Sequence, residues 1–324
     1  MDELEPVVAM PAALMLTDVD VKRHWDMAAA IEQVEAAIRA RASKDLVAPP
    51  RHRVSFGPTT ELVFAIGGMT PHTGDAVGAR SYFSRSGVHF QDQVVSVWSP
   101  KTGALKGVIV GSALGVLRMG AIGGVAIRAL SHPSADTVGV IGTGKQARSH
   151  LEAAAAVRPL KRAQVFGRSE ESAKTFAAEM ARRLQLDVVA MPTARAAVSG
   201  ASLVIVATTS LRPVISAADL DRGAFVHTVG YKSPAAKELD LDIAEAADWL
   251  ITDSLAQVAA FGKTFILHGT PYLGRMIDLA DVLSGRVDVR EPSSDAIRVC
   301  YPVGLTGIDT VVADNILRSF AASQ

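Results

Sequence analysis

Thr137-Val138-Gly139-Val140-Ile141-Gly142-Thr143-Gly144-Lys145-Gln146-Ala147 reads as a buried strand that breaks at a glycine turn and enters a helix. Its core is the pattern G-x-G-x-x-A, made by Gly142, Gly144 and Ala147. The first glycine permits the tight turn, the second lets a pyrophosphate approach the backbone, and the alanine lets helix and sheet pack closely. The residues that follow, Arg148 to Val157, are helix formers, so the turn opens onto a helix N-terminus with free N–H groups and a positive dipole end. A dinucleotide is the ligand this context implies.

The next strand, Ala163 to Phe166, ends in Gly167-Arg168-Ser169. The end of that strand is where NAD-binding sheets usually carry an Asp or Glu for the ribose 2′-hydroxyl. An arginine and a serine stand here instead. A guanidinium binds a 2′-phosphate through paired hydrogen bonds, whereas a carboxylate repels it, so NADP(H) is expected in preference to NAD(H). Strand-helix alternation continues from this point, with strands expected at 187–191, 203–208, 224–229 and 249–253. That alternation argues for a Rossmann-type, doubly wound parallel sheet in an α/β fold. Ligands of such sheets bind beyond the C-terminal strand ends, which singles out Gly142–Gln146, Gly167–Ser169, Thr208-Thr209-Ser210 and Gly230-Tyr231-Lys232.

The chain before the turn reads differently. Thr17-Asp18-Val19-Asp20 has the hydroxyl and carboxylate of a helix start. A helix from about Asp26 to Ala42 carries Met27, Ile31, Val34 and Ile38 on one stripe. From Val54 to Val110 short apolar runs alternate with Gly/Pro turns, and Ser99 to Gly103 reads as a hairpin turn, so a mostly antiparallel sheet is expected. Ser112 to Leu130 reads as a helix with Gly115, Gly120, Gly123 and Gly124 inside it. Each interior glycine costs a helix about 1 kcal/mol relative to alanine, so a close approach by another backbone or a ligand is expected to offset it. Past Phe261 the reading is a loop, a helix near Leu273–Leu283 and a stretch from Arg286 to Val303 that returns to the first domain. A last helix, Ile308 to about Phe320, packs back on the N-terminal part.

The 324 residues suffice for two domains, and 49% of them are hydrophobic. Lys+Arg and Asp+Glu both number 33, and this zero net charge gives no support for a nucleic-acid or acidic-membrane surface. No apolar run is read as a membrane span. The single cysteine, Cys300, excludes an internal disulfide framework and fits a cytoplasmic setting. The eight histidines show no metal-ligand spacing, so no metal is expected; His52 and His89 are the two that could reach a substrate.

Taken in order, several stretches give the chain a resemblance to the ornithine cyclodeaminase/mu-crystallin family over nearly its whole length. They are Pro49-Pro50-Arg51, the hairpin at Pro100–Gly103, Leu117-Arg118-Met119-Gly120-Ala121-Ile122-Gly123-Gly124, and the Gly142–Gln146 turn. Val229-Gly230 with Lys237-Glu238-Leu239-Asp240, and Gly304-Leu305-Thr306-Gly307-Ile308-Asp309, complete the set. The resemblance implies a discontinuous α+β substrate-binding and dimerisation domain, residues 1–130 completed by 304–324, beside an NAD(P)-binding domain at 131–303. It implies a homodimer, a nicotinamide cofactor and a small α-amino or α-imino acid substrate. Its carboxylate-binding arginines fall on Arg51 and Arg118. Arg80 stands where the family usually has lysine. Lys232 stands where the cyclodeaminases carry aspartate, and there it would repel a substrate ammonium. Pro302-Val303 replaces the usual serine before Gly304.

The expectation is therefore an NADPH-dependent reductase of a small imino acid or related α-keto or amino acid, with two alternatives: a non-catalytic NADPH-dependent binding protein, or a cyclodeaminase. Lys232, Arg118 and Arg80 are the candidate catalytic residues. Arg51, Arg80, Arg118 and Val303 are the candidate substrate ligands. Cofactor contacts are expected from Arg118, Gly142, Thr143, Gly144, Lys145, Gln146, Gly167, Arg168, Ser169, Thr208, Val229, Gly230 and Tyr231. Convergence of Arg51, Arg80, Arg118 and Lys232 would make a cationic pocket suited to an acidic or dicarboxylate substrate.

Overall fold

The computed structural model describes residues 12–85, 92–289 and 295–324, and the chain forms two compact units. The first holds the described residues of 1–25, 45–114 and 307–324; the second holds 26–44 and 115–306 among those described.

The first unit is a sheet of seven strands: β1 (Leu14–Thr17), β2 (Leu46–Val47), β3 (His52–Ser55), β4 (Thr60–Met69), β5 (Val77–Arg85), β6 (Gln93–Trp98) and β7 (Leu105–Gly111). Pairing is antiparallel except for β1, which runs parallel to β7. The short helix α1 (Asp18–Arg23) follows β1, and Thr17 N–H donates to the Asp20 carboxylate at 2.9 Å, as its hydroxyl-carboxylate start requires. The β6–β7 hairpin closes where expected, with Ser99 N–H donating to Ala104 O and Gly103 at φ +74°. Alternation gives the sheet one inner face, lined by Val63, Ala65, Val95, Val97 and Ile109, all at most 2% exposed. The C-terminal helix, Ile308–Ala322, covers that face with Ile308, Val312 and Ile316. A Cβ on Gly107 would lie 2.5 Å from the Leu317 side chain, so the helix sits against bare backbone there.

The second unit is an eight-stranded, wholly parallel sheet. Its strands are β8 (Thr137–Ile141), β9 (Arg162–Phe166), β10 (Asp187–Ala190), β11 (Leu203–Val206), β12 (Phe225–Thr228), β13 (Trp249–Thr252), β14 (Met276–Asp278) and β15 (Arg298–Cys300). Their order is β10-β9-β8-β11-β12-β15-β13-β14, with the reversal of order at β8 and β11. The helices of this unit are α2 (Met27–Ala42), α3 (Ala113–Leu130, from Gly115 on), α4 (Lys145–Val157), α5 (Glu170–Leu184), α6 (Ala194–Val198), α7 (Leu241–Ala246), α8 (Leu255–Phe261) and α9 (Leu279–Leu283); the C-terminal helix of the first unit is α10.

Three readings of the sequence are corrected. The units divide otherwise than at residue 130, because α2 packs on α4 and α9, so it belongs with the parallel sheet. The helix expected near Leu273–Leu283 is a turn, the strand β14 and the short helix α9. Met276–Asp278 pairs with β13, and the Asp278 carboxylate then caps α9 by accepting from Ala280 N–H at 3.0 Å. The stretch from Arg286 to Val303, read as a return to the first domain, carries β15, which inserts between β12 and β13 with Val299 and Cys300 fully buried.

The glycine-rich helix α3 has the expected explanation. A Cβ on Gly120 would meet the Ser149 hydroxyl at 2.1 Å, one on Gly123 the His150 ring at 2.5 Å, and one on Gly124 the Ile31 side chain at 2.5 Å. Close approach by α4 and α2 therefore offsets the lost helix propensity. By length and composition α3 could cross a membrane, which the sequence reading missed; its apolar residues Ile122, Val125, Ala126 and Ile127 are instead completely buried in this unit. Arg158 ends it, donating to the carbonyls of Ile127 (2.8 Å), Arg128 (2.7 Å) and Ser131 (2.9 Å) just before His132-Pro133.

Candidate active site

Because the sheet is wholly parallel, every strand of the second unit ends on one edge. Along it lie Gly167 after β9, Gly142 after β8, Thr208 after β11, Gly230 after β12, Val303 after β15 and Asp253 after β13. The turn at Gly142–Gln146 sits at the reversal of strand order, where a crevice opens in doubly wound sheets.

Gly142 has φ +116°, and a Cβ there would lie 2.2 Å from Ala207 O, so no other residue fits. Gly144 is the N-cap of α4 and offers no side-chain acceptor to the first turn. A Cβ on Gly144 would meet nothing within 4 Å, so space lies open over this backbone. Glycine at the crowded position, glycine at the open one and an uncapped helix start fit a pyrophosphate. Thr143 is half-buried and its hydroxyl donates to Ser172 Oγ at 3.3 Å, while Lys145 is exposed. The Gln146 side-chain oxygen is buried without a hydrogen-bond partner. Arg168 is exposed, directly before α5. Ser169 caps α5, accepting from Ser172 N–H at 3.2 Å, so its hydroxyl has a structural task besides any ligand.

The second cluster surrounds Glu238, which is completely buried. Its carboxylate accepts from Thr208 N–H, from Gly230 N–H and from the Thr228 hydroxyl at 3.0 Å. One side chain thus ties the ends of β11 and β12 together. A Cβ on Gly230 would lie 2.4 Å from that carboxyl carbon, which explains the glycine. Val229 N–H continues the ladder to Val206 O at 2.7 Å, and Tyr231 is exposed. The half-buried Lys232 donates from Nζ to Gly230 O at 2.9 Å. Burial lowers its pKa from the ordinary value, opposed by the negative charge of Glu238 and Asp253. Burial likewise raises the Glu238 carboxyl, against the pull of Lys232 and the N–H donors.

Asp253 holds the loop that carries Val303. Its carboxylate accepts from Val303 N–H (2.7 Å), Gly304 N–H (2.8 Å) and Leu305 N–H (2.7 Å). Beneath the site two imidazoles lie against each other at a tilt of 37°, His150 on α4 and His227 on β12, with centroids 5.1 Å apart. His150 Nδ1 faces Gln146 O at 2.8 Å, so Nδ1 carries the hydrogen. Both rings are completely buried. Burial brings His150 down to about 4 and His227 well below its ordinary value, so both are neutral near pH 7. Arg118 on α3 is 3% exposed, and its guanidinium reaches the Met119 sulfur at 2.8 Å.

In the first unit, Arg51 is half-buried just ahead of β3, and His52 is exposed on that strand. Arg80 lies on the inner face of the sheet and is buried against Asp309, with Nη1 to Oδ1 at 3.5 Å. The charge of Arg80 is thus paired within its own unit. His89 lies outside the described residues. Among the described residues no group of three or more His, Cys, Asp or Glu side chains could hold a metal ion.

The strand-end residues of the second unit are brought together as expected, while Glu238, Asp253 and the histidine pair were given no role from sequence. Glu238 and Asp309 had a signal, since both stand in the quoted family stretches; Asp253 and the two histidines had none. A parallel sheet with an open glycine turn at its reversal of order defines a dinucleotide-binding class of protein. The family pattern named ornithine cyclodeaminase/mu-crystallin matches residues 12–323, and the chain belongs to that family.

Among its relatives, a Delta(1)-pyrroline-2-carboxylate reductase of Bacillus cereus is 31% identical over 219 residues, 66% of each chain. The ketimine reductase mu-crystallin of Mus musculus is 25% identical over 241 residues, 74% of each chain. The structure of Thermococcus litoralis Delta(1)-pyrroline-2-carboxylate reductase in complex with NADH and L-proline has the same fold. It gives a TM-score of 0.84 at 24% identity, covering 96% of this chain and 98% of that one.

Proposed function

We propose that this chain is an NAD(P)H-dependent reductase of a small imino acid, acting at the C=N carbon that bears the carboxylate. The observation that carries the reading is the strand-end row itself: an open, uncapped glycine turn with Lys232 on the same edge. A bound nicotinamide would supply the hydride. The chain's own groups do the rest. Gly142, Thr143, Gly144, Lys145 and Gln146 would hold the pyrophosphate, Gly167, Arg168 and Ser169 the adenosine ribose, and Thr208, Val229, Gly230 and Tyr231 the nicotinamide half. The resemblance gives Arg51 and Arg118 the substrate carboxylate, a task suited to forked guanidiniums. Lys232, whose ammonium is made more acidic by burial, would give the proton to the imine nitrogen. A Delta(1)-pyrroline-2-carboxylate reductase and a ketimine reductase among the relatives support the substrate class.

NADP(H) is the preferred cofactor on this reading, because Arg168 is an exposed guanidinium without a hydrogen bond or ion pair among the described residues. Glu170 and Glu171 in the first turn of α5 oppose it, so the preference is decided by Arg168 alone. The test is oxidation of NADPH and of NADH against cyclic and acyclic imines, for wild type and Arg168→Asp. The wild type is expected to favour NADPH, and the variant to lose that preference by about ten- to a hundredfold, the worth of one or two charge-assisted hydrogen bonds. No oxidation of either nucleotide with any imine, under conditions where the nucleotide binds, removes the reductase reading.

A homodimer is part of the proposal. The outer face of the first unit's sheet carries Met15, Ile66, Phe83, Val94 and Trp98, all exposed, on neighbouring strands. Exposed apolar side chains gathered on one sheet face favour a self-complementary partner. Sedimentation equilibrium is expected to return a dimer for the wild type and a monomer for Ile66→Lys/Phe83→Lys; a monomeric wild type would refute it. A cytoplasmic setting, consistent with the one buried thiol of Cys300, completes the reading.

A further inference from the structure

We propose that Lys232 is a covalent carbonyl-capture site: its amine condenses with an α-keto acid to a protein-bound imine, which ammonia then releases as the free α-imino acid. That release lets the site make its own substrate, a consequence that rests on the proposed reductase reading. The capture itself rests on the geometry of the second unit alone.

A run of contacts joins Lys232 to the nucleotide turn. A Cβ on Gly142 would lie 3.5 Å from the Thr208 side chain, and one on Gly230 would lie 2.4 Å from Thr208 O. Glu238 accepts from the N–H groups of Thr208 and Gly230, and Lys232 Nζ donates to Gly230 O at 2.9 Å. The backbone of the lysine is fixed, since Lys232 O accepts from Ile266 N–H at 2.9 Å and the residue pairs with Lys237 in an antiparallel bridge. The side chain itself is half-buried, so it is partly stripped of water yet open to a small molecule.

No counter-ion holds this lysine as an ammonium. Among the described residues it makes no ion pair, whereas Lys237 across the bridge pairs with Asp240 at 2.9 Å. The carboxylates whose charge reaches it are committed to other donors. Glu238 serves Thr208, Gly230 and Thr228, and Asp253 serves the N–H groups of Val303, Gly304 and Leu305. Burial lowers the Lys232 pKa, against the pull of Glu238 and Asp253. A desolvated lysine keeps its lone pair near neutral pH, and that is the form that attacks a carbonyl. One N–H can stay on Gly230 O while the lone pair points away from it.

The chemistry balances without an oxidant. The Nζ lone pair forms a bond to the keto carbon and the C=O pair passes to oxygen. That oxygen leaves as water with the two amine hydrogens, and the C=N bond forms. Ammonia then adds to the same carbon and Lys232 departs as the amine. An α-imino acid and its α-keto acid differ only in =NH against =O, so a site shaped for one admits the other.

The experiment is sodium cyanoborohydride trapping of the full chain with pyruvate at pH 7, without nucleotide, read by peptide mass mapping. Label at Lys232 is expected at least about tenfold above that at the ion-paired Lys174 and Lys237, since each unit of lowered pKa gives about ten times more free amine. Ammonium chloride is expected to reduce the Lys232 label severalfold by drawing the imine off. Lys232→Arg, whose guanidinium does not condense, is expected to lose that label and keep the one on Lys174. Equal label on the three lysines, or a Lys232 label indifferent to ammonium, overturns the inference. The wild-type map decides alone if the Arg variant fails to fold. Trapping uses no nucleotide and no preformed imine, so failure of capture and failure of imine reduction are separate results.

Discussion

Glu238→Ala is expected to abolish measurable nicotinamide-nucleotide binding and to destabilise the second unit by on the order of 3–5 kcal/mol. The carboxylate is completely buried, and three donors converge on it: Thr208 N–H, Gly230 N–H and the Thr228 hydroxyl. Removing it leaves those donors without an acceptor in a space closed to water, and each orphaned buried donor costs about 1–3 kcal/mol. It also leaves Lys232, which gains its charged form partly from Glu238, with less compensation. The ends of β11 and β12 would separate, and with them the segments expected to hold the nicotinamide half. Glu238→Gln keeps one acceptor oxygen but turns an NH2 group toward an N–H donor, so an intermediate loss is expected. Fluorescence titration with NADPH and a thermal melt check both effects. A variant that melts like the wild type and binds NADPH normally would show that Glu238 ties nothing of consequence.

Acidification is expected to unfold the second unit before most surface carboxylates are protonated. The sign follows from the buried imidazoles. Burial lowers the pKa of His150 from 6.5 to about 4 and that of His227 well below 6.5, so the unfolded chain takes up protons that the folded chain refuses. The stabilisation from neutral histidines is complete above the unfolded value of about 6.5 and is lost as pH falls toward the folded value. For His150 alone this amounts to on the order of 3 kcal/mol. Lys232 deepens the effect, because its positive charge opposes protonation of both rings. Glu238 and Asp278 act in the opposite direction, since burial raises both carboxyls and the folded state then binds protons first. The measurement is the urea midpoint from pH 7 to pH 4.5. Wild type should fall steeply across that range, and His150→Asn/His227→Asn should fall much less, from a lower starting point. An equal slope in both proteins would remove the imidazoles as the cause.

How much of this was legible beforehand differs between the two sheets and between backbone and side chains. The sequence determined the doubly wound sheet, because an apolar strand, a G-x-G-x-x-A turn and a helix-forming run are local patterns, each enforced by the conformational limits of a few adjacent residues. It likewise determined which loops line up, since parallel strands share one C-terminal edge whatever their side chains do. The three-residue strands β14 and β15 were illegible, because pieces of that length have no measurable period and exist only by pairing with β13 and β12.

The partners of charged residues lay further out of reach. Arg80 and Asp309 are 229 positions apart in the numbering, and Asp253 meets Val303 across 50. No local rule connects such residues. Composition balanced the charges of the chain, but only the folded sheet with α10 upon it decided that the charge of Arg80 is spent on Asp309, and that His150 and His227 are sealed beneath Gly123. The physical reason is that burial and Coulomb energy depend on distance through space and on the exclusion of water, and neither quantity exists until the chain has packed.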